Sequence, residues 1–234
     1  MGEPILKRER VRDHLLELIE THPSGAPIPA ERVLCQQLSV SRPTVRSAVE
    51  ELVNLGLLVR QHGRGTFVAP AKITQELVSD SHAMTAPAAS GTWSSRVLEH
   101  AKVPAGARVG RRLHISPAAE IHYIARLRLV DGEPVAIEHL HVPVAIAPGL
   151  TLHDMESGDF YEHLREHDVH VRDAVQSIEP TVTNDAESAL LDVPVLTPAL
   201  LFERLTTDAQ GRQVEYVHSI YRGDRYRIVS RLTF

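Results

Sequence analysis

The chain has 234 residues, a formal net charge of −5, 43% hydrophobic residues and 24% charged residues. That profile fits one large or two modest globular domains and excludes a disordered or strongly basic chain. No apolar run approaches the ~20 residues needed to span a bilayer, and residues 1–12 lack the apolar core of a secretory signal, so a cytoplasmic protein without a membrane partner is expected.

The charge is unevenly spread. Residues 1–70 hold nine Lys and Arg against eight Asp and Glu, and the remainder holds 16 against 22. Arg outnumbers Lys 22 to 3, and Arg is the better residue for bidentate contacts to phosphate, carboxylate and guanine. This polarity is mild, so any case for nucleic acid rests on pattern. The single cysteine, Cys35, excludes an internal disulfide and a cysteine-built zinc site. Its neighbours Leu34 and Leu38 mark it as a small buried residue of a helix.

In chain order, residues 6–21 predict a helix, with Val11, Leu15, Leu18 and Ile19 at helical spacing. A Pro- and Gly-rich turn follows, then a short helix over about 30–38, entered through Pro29. Ser41 is a plausible N-cap for a third helix, with Pro43 in its first turn, where a missing N–H costs little. Val45, Ala48, Val49 and Leu52 form one face of that helix, and Gly56 is a natural stop. Residues 57–60 and 66–68 then read as a β-hairpin with the basic tip His62-Gly63-Arg64-Gly65.

Residues 71–92 read as a linker, with a short helix expected around Ile73–Val78. From Trp93 onward helices and strands mix. A helix is expected to begin at Val97–His100, and strands at Ile121–Val130 and Pro134–Val142 flank an Asp131-Gly132 turn. Phe160–His167 reads as an amphipathic helix, Ala174–Val182 as a strand, and Asp185–Leu191 as a helix capped by Thr183 or Asn184. Strands are expected at Ala199–Thr206, Val214–Tyr221 and Tyr226–Phe234. The fold class is therefore α+β: a winged helix-turn-helix over 1–70, a linker over 71–92, and a mixed domain with a largely antiparallel sheet over 93–234.

Two helices joined by a tight turn and followed by a basic hairpin suit DNA. A helix fits the major groove, and the side chains of its N-terminal turns reach base edges. Ser41, Arg42, Thr44 and Arg46 open the third helix, and Arg42 and Arg46 share a face opposite Val45 and Val49. The glycines of the tip let backbone N–H groups approach phosphates, Arg64 can enter the minor groove, and Arg32 is placed for a phosphate. Any one of these arginines reads equally well as a solvated helix face. The set, in this order and spacing, points to DNA.

Residues 28–68 resemble the N-terminal domain of the GntR family of bacterial regulators. The resemblance rests on Pro29-Ala30-Glu31-Arg32, Val40-Ser41-Arg42-Pro43-Thr44-Val45-Arg46, the stretch Leu52 to Leu58, and His62-Gly63-Arg64-Gly65-Thr66-Phe67-Val68. It implies DNA contacts from Arg32, Ser41, Arg42, Thr44, Arg46 and the wing-tip glycines. The turn before Pro29 is a residue or two shorter than the family pattern. Residues 93–234 resemble the UTRA effector domain of the HutC subfamily, whose fold is shared with chorismate lyase. That match rests on His122 to Arg128, Glu133 to Glu138, Phe160-Tyr161 and Ser219 to Tyr226.

The residues themselves agree with a ligand site. Arg126 and Arg128, two apart in a strand, point the same way and read as an anion clamp; the plainer reading pairs them with acids on an exposed sheet face. Glu138 shares their face if the Asp131-Gly132 loop has an odd count and lies on the other face if the count is even. Glu215, Ser219 and Tyr221 share one face of their strand. The resemblance implies effector contacts from the positions of Arg126, Arg128, Glu138, Tyr161, Glu215 and Tyr221. Thr92-Trp93-Ser94 stands where sugar-phosphate sensors place a hydroxyl-bearing segment. Asp159 departs from the small hydroxyl residue expected there, and a carboxylate repels a phosphate unless an arginine or a proton intervenes.

His163 and His167 have a spacing used by metal sites, but Leu164 stands where HExxH would place Glu. With His139, His141 and His170 they read as scattered surface histidines, and no cofactor is expected. The leading function is a homodimeric repressor that reads an inverted repeat in double-stranded DNA and is controlled by a small-molecule effector, with a sugar phosphate and an amino sugar both open as its class. Two others stay open: an enzyme of the chorismate-lyase type, and a constitutive DNA binder whose C-terminal domain only dimerises.

Overall fold

The computed structural model describes residues 3–61, 63–77, 91–157 and 160–230, with Leu232, and side chains from residue 7 onward. Two compact units result: Met1–Leu77 with Arg227–Phe234, and Val78–Tyr226.

In the first unit, helices α1 (Glu3–Thr21), α2 (Glu31–Leu38) and α3 (Arg42–Asn54) enclose a core of Val11, Leu15, Leu34, Val45, Ala48, Val49, Leu52 and Leu58. Burying one such side chain is worth roughly 1.5–3 kcal/mol. Cys35 is only partly buried against this core. The α2–α3 turn is tight because Ser39 adopts a left-handed φ of 51°. Strands β1 (Leu58–Gln61) and β2 (Gly65–Val68) form the wing, and Gly63 (φ 71°) and Gly65 (φ 123°) hold conformations at its tip that side-chain-bearing residues rarely adopt.

Residues 73–77 form strand β3 (Ile73–Leu77) rather than the expected helix. The strand pairs with β10 (Tyr226–Ser230), so a tertiary partner overrides local preference. Arg227 Nε also donates to Thr74 Oγ1 at 2.8 Å.

The second unit is built on one six-stranded antiparallel sheet in the order β4-β5-β6-β9-β8-β7. The strands are β4 (Trp93–Pro104), β5 (Glu120–Val130), β6 (Glu133–Pro143), β7 (Val171–Val182), β8 (Pro198–Asp208) and β9 (Gln213–Arg222). The helix expected at Val97–His100 is instead part of β4. Leu98 is an extra residue there, between Val97↔Arg126 and Glu99↔Ala125, and this bulge breaks the alternation that would have revealed a strand.

One sheet face carries Ile124, Leu140, Val142 and Val217 under helices α5 (Leu152–Ser157) and α6 (Phe160–Glu166), which contribute Met155, Phe160 and Leu164. The other face packs on α4 (Gly106–Leu113) through Leu113, Ile121 and Tyr216, and on α7 (Asp185–Leu191) through Leu127, Ile137, Leu191 and Ile220. Asn184 is the cap of α7: its side chain accepts from the Glu187 N–H, and Glu187 accepts from the Asn184 N–H, both at 2.9 Å. Asp131 (φ 52°) and Gly132 (φ 81°) close the β5–β6 hairpin, both with positive φ as a type I′ turn requires.

Candidate functional site

The arginines of the first unit divide into two sets. Arg8 and Arg12 both pair with Glu51, tying α1 to α3, and Arg10 donates to the Leu38 carbonyl at 2.7 Å. Arg60 reaches Glu50 at 3.7 Å. Arg32, Arg42 and Arg46 are exposed and make no hydrogen bond or ion pair among the described residues. Ser41 precedes α3 in extended conformation, but its hydroxyl does not cap the helix; it lies 2.8 Å from the Thr44 hydroxyl. Pro43 occupies the first turn. The Arg64 guanidinium lies 5.7 Å from the Phe67 ring centroid, at the end of the wing. His62 lies outside the described residues. A row of uncommitted cations thus opens one helix and tips one hairpin, while the paired arginines hold the scaffold.

The second constellation lies on the α5/α6 face of the six-stranded sheet. Register brings it together. Two residues join β5 to β6, which alone would set Arg126 opposite Ile137. Val135 is extra between Leu129↔Pro134 and Arg128↔Ala136, so Arg126 instead faces Glu138. Arg126 Nε donates to Glu138 Oε2 at 2.7 Å and Arg126 Nη1 to the Met155 carbonyl at 3.1 Å. The Tyr221 hydroxyl donates to Glu138 Oε1 at 2.8 Å. Burial pushes the Glu138 carboxyl up, but the charges of Arg126 and Arg128 with the Tyr221 bond outweigh it and hold the group at about 2.

Arg126 and Arg128 share a face but not a role. Arg126 is neutralised by Glu138. Among the described residues Arg128 has no carboxylate partner: Nη1 donates to Ser95 Oγ at 2.8 Å, its guanidinium lies 5.3 Å from the Trp93 ring centroid, and Nε is buried with no described partner. Trp93 Nε1 is likewise buried without a described partner. A donor left unsatisfied in this way costs roughly 1–3 kcal/mol, more beside a charge, and so favours an acceptor.

Ser94 pairs with Leu129 and therefore points to the other sheet face; Ser95, opposite Arg128, supplies the hydroxyl instead. The Thr92 N–H donates to Asp131 Oδ1 at 2.8 Å, tying the start of β4 to the hairpin turn. Asp159 lies outside the described residues.

Farther along the same face, Glu215 is fully buried opposite Thr206. Its Oε1 accepts from the Tyr161 hydroxyl at 2.8 Å, from Thr206 Oγ1 at 2.9 Å, and from Arg204 Nε and Nη2 at 3.2 and 3.0 Å. Burial, reinforced by the Glu215 charge, pushes the Tyr161 hydroxyl well above its ordinary value, so it remains a donor. Sequence reasoning missed Arg204 and Thr206, although their spacing of two in a strand is the signal that singled out Arg126 and Arg128.

Among the described residues no group of three or more His, Cys, Asp or Glu is arranged to hold an ion. Several histidines are not on the surface, contrary to expectation. His163 is buried with Nε2 at 3.2 Å from the Pro148 carbonyl, and His139 and His141 are half-buried on the sheet. Among the described residues no helix is long and apolar enough to cross a membrane.

Residues 7–68 match the bacterial regulatory proteins of the gntR family, and residues 88–227 match the UTRA domain. The chain is 35% identical over 205 residues to the HTH-type transcriptional repressor NagR of Bacillus subtilis, covering 87% of this chain and 84% of that protein. It is 27% identical over 241 residues to the mannosyl-D-glycerate transport/metabolism system repressor MngR of Escherichia coli, covering 97% and 95%. The crystal structure of PhnF from Mycobacterium smegmatis superposes with a TM-score of 0.66 at 30% identity, covering 95% of this chain and 99% of that one. The chain therefore belongs to the GntR family, in its HutC-type branch with a UTRA effector domain, and is a DNA-binding transcription regulator rather than an enzyme.

Proposed function

We propose that this regulator is a homodimeric repressor whose hold on an inverted-repeat operator is set by an oxygen-rich, anionic small molecule, with a phosphorylated or otherwise acidic sugar as the leading class. The observation that carries the effector class is Arg128, the one arginine of the site without a carboxylate partner among the described residues, with its buried Nε and the Trp93 Nε1 both lacking described acceptors. Such a pair suits an anionic oxygen. The named repressor relatives support the sign of regulation, and the name of MngR supports an acidic sugar.

For the operator, Arg42 and Arg46 read base edges from the start of α3, with Ser41 and Thr44 on nearby phosphates. Arg32 takes a phosphate beside α2, and His62, Gly63, Arg64 and Gly65 follow the adjacent backbone and minor groove. One helix covers only a few base pairs, so specificity needs two half-sites and hence two copies. The second unit is the dimerisation element, since residues 1–70 are too few to supply both a core and a large interface, and the protein acts in the cytoplasm, where its operator lies.

A thermal-shift screen against sugar phosphates, acidic sugars and small carboxylic acids tests the effector, since a ligand of the native state raises apparent stability by mass action. Sedimentation at micromolar concentration tests the dimer. A monomer on a non-palindromic site contradicts this reading.

A further inference from the structure

Glu215 is held in an unusual way. All four described donors converge on one carboxylate oxygen, Oε1. Arg204 directs both Nε and Nη2 to that same atom, with Nη2 also 3.3 Å from the Tyr161 hydroxyl, so the guanidinium fork that could grip both carboxylate oxygens meets only one of them. Oε2 is buried and has no partner among the described residues. It is an acceptor of fixed direction, on the same sheet face as the orphan donors of Arg128 and Trp93.

The charges of this face pair off unequally. Arg126 is matched by Glu138, and Arg204 by Glu215. Among the described residues Arg128 has no ion pair of its own, although its charge also acts on Glu138 and the Glu156 carboxylate lies 3.5 Å from the Val97 N–H on the neighbouring strand. The Glu215 end is thus locally neutral, and the arginine with an open Nε sits at the other end. A ligand ammonium placed against Glu215 would meet the Arg204 cation beside it and gain little from a carboxylate already compensated. A hydroxyl or an amide N–H satisfies Oε2 without that conflict.

We propose that Arg204 is the positioning residue that sets effector specificity. By neutralising and orienting Glu215 it makes the site select a neutral donor at that end, opposite an anionic group at Arg128, and reject a free amine. The effector is accordingly an acidic sugar whose second polar end is a hydroxyl or an acylated nitrogen. This rests on the effector reading given above. It also resolves a choice open from the sequence, between sugar phosphates and amino sugars, against the free amine.

Matched probes test it by calorimetry on the full chain: glucose 6-phosphate, N-acetylglucosamine 6-phosphate and glucosamine 6-phosphate, with inorganic phosphate as reference. The wild type should bind at least one of the first two at least tenfold more tightly than glucosamine 6-phosphate. In Arg204→Gln the preference should shrink at least tenfold or reverse, because the Glu215 charge is then uncompensated, while Arg204→Lys should retain it. A purely structural role would weaken all three sugars alike and leave their ratios unchanged. Equal or tighter wild-type binding of glucosamine 6-phosphate overturns the proposal even if neither variant folds. Unchanged ratios in a folded Arg204→Gln overturn it as well. Failure of all four probes to bind the wild type overturns the effector reading itself, and the proposal with it.

Discussion

Arg126 and Glu138 face each other across β5 and β6, 2.7 Å apart, because Val135 is an extra residue in the hairpin. Without it the two-residue turn would turn Glu138 to the other side of the sheet. The pair is largely withdrawn from water, with side-chain exposures of 12% and 11%. Removing one partner leaves the other charged and uncompensated, a loss of about 3–5 kcal/mol. Glu138→Ala should therefore lower the urea midpoint sharply. The double variant Arg126→Met/Glu138→Leu, which removes both charges and keeps volume, should recover most of that loss. A double variant as unstable as the single one contradicts the pairing.

The same pair predicts an acid limb. The Glu138 carboxyl lies at about 2 in the folded chain against an ordinary 4.5. A depressed carboxylate contributes stability that is complete above its unfolded value and is lost as pH falls toward its folded value. The wild type should lose this contribution between about pH 4.5 and 2. Glu138→Gln should be less stable at neutral pH and flatter across that window. Chemical denaturation at several pH values reads both effects, and parallel curves for the two proteins would exclude Glu138 as the source.

At the DNA surface, Arg42→Ala should weaken specific binding by roughly 1–3 kcal/mol and act little on scrambled DNA, since a base contact carries the sequence information. Arg64→Ala should act evenly on both DNAs and lower the salt slope by about one. Anisotropy titrations at two salt concentrations separate these outcomes. Equal losses on the two DNAs for Arg42→Ala would remove its base-reading role.

Much of the first unit was legible because its signals are local. Ser41, Pro43 and Gly56 mark the ends of α3 from its own flanks and first turn, and the wing-tip glycines accept the positive φ of the turn. Asp131-Gly132 located the β5–β6 hairpin for the same reason. What escaped depends on distant partners. β3 is a strand only because β10 lies beside it, and Leu98 disguised β4 as a helix start by interrupting its alternation. The parity argument for Glu138 stayed open because no sequence feature announces that Val135 is a bulge. Ser95 and Thr206 were missed for a related reason: their membership of the site follows from register with Arg128 and Glu215 across strands, and Arg204 lies two residues from Thr206 on the same face, opposite Val217. Asp159, whose carboxylate the sequence singled out, lies outside the described residues.

Arg128→Ala should reduce effector affinity roughly ten- to a hundred-fold, the range of a charge-assisted hydrogen bond worth ~1.5–3 kcal/mol. Ser95→Ala should cost less, because Ser95 only steadies the guanidinium at 2.8 Å. Calorimetry with a hit from the thermal-shift screen reads both. Unchanged affinity in Arg128→Ala would place the anion elsewhere.

Occupancy of the sheet-face site is expected to control DNA binding by the helix-turn-helix. The direct measurement is anisotropy of the full chain on an inverted repeat selected from random DNA, with and without a saturating sugar phosphate that binds in calorimetry. Operator affinity should fall at least tenfold in the wild type, and in Arg128→Ala the same fall should require roughly ten- to a hundred-fold more ligand. A ligand that saturates the wild-type site and leaves operator affinity unchanged would contradict the account.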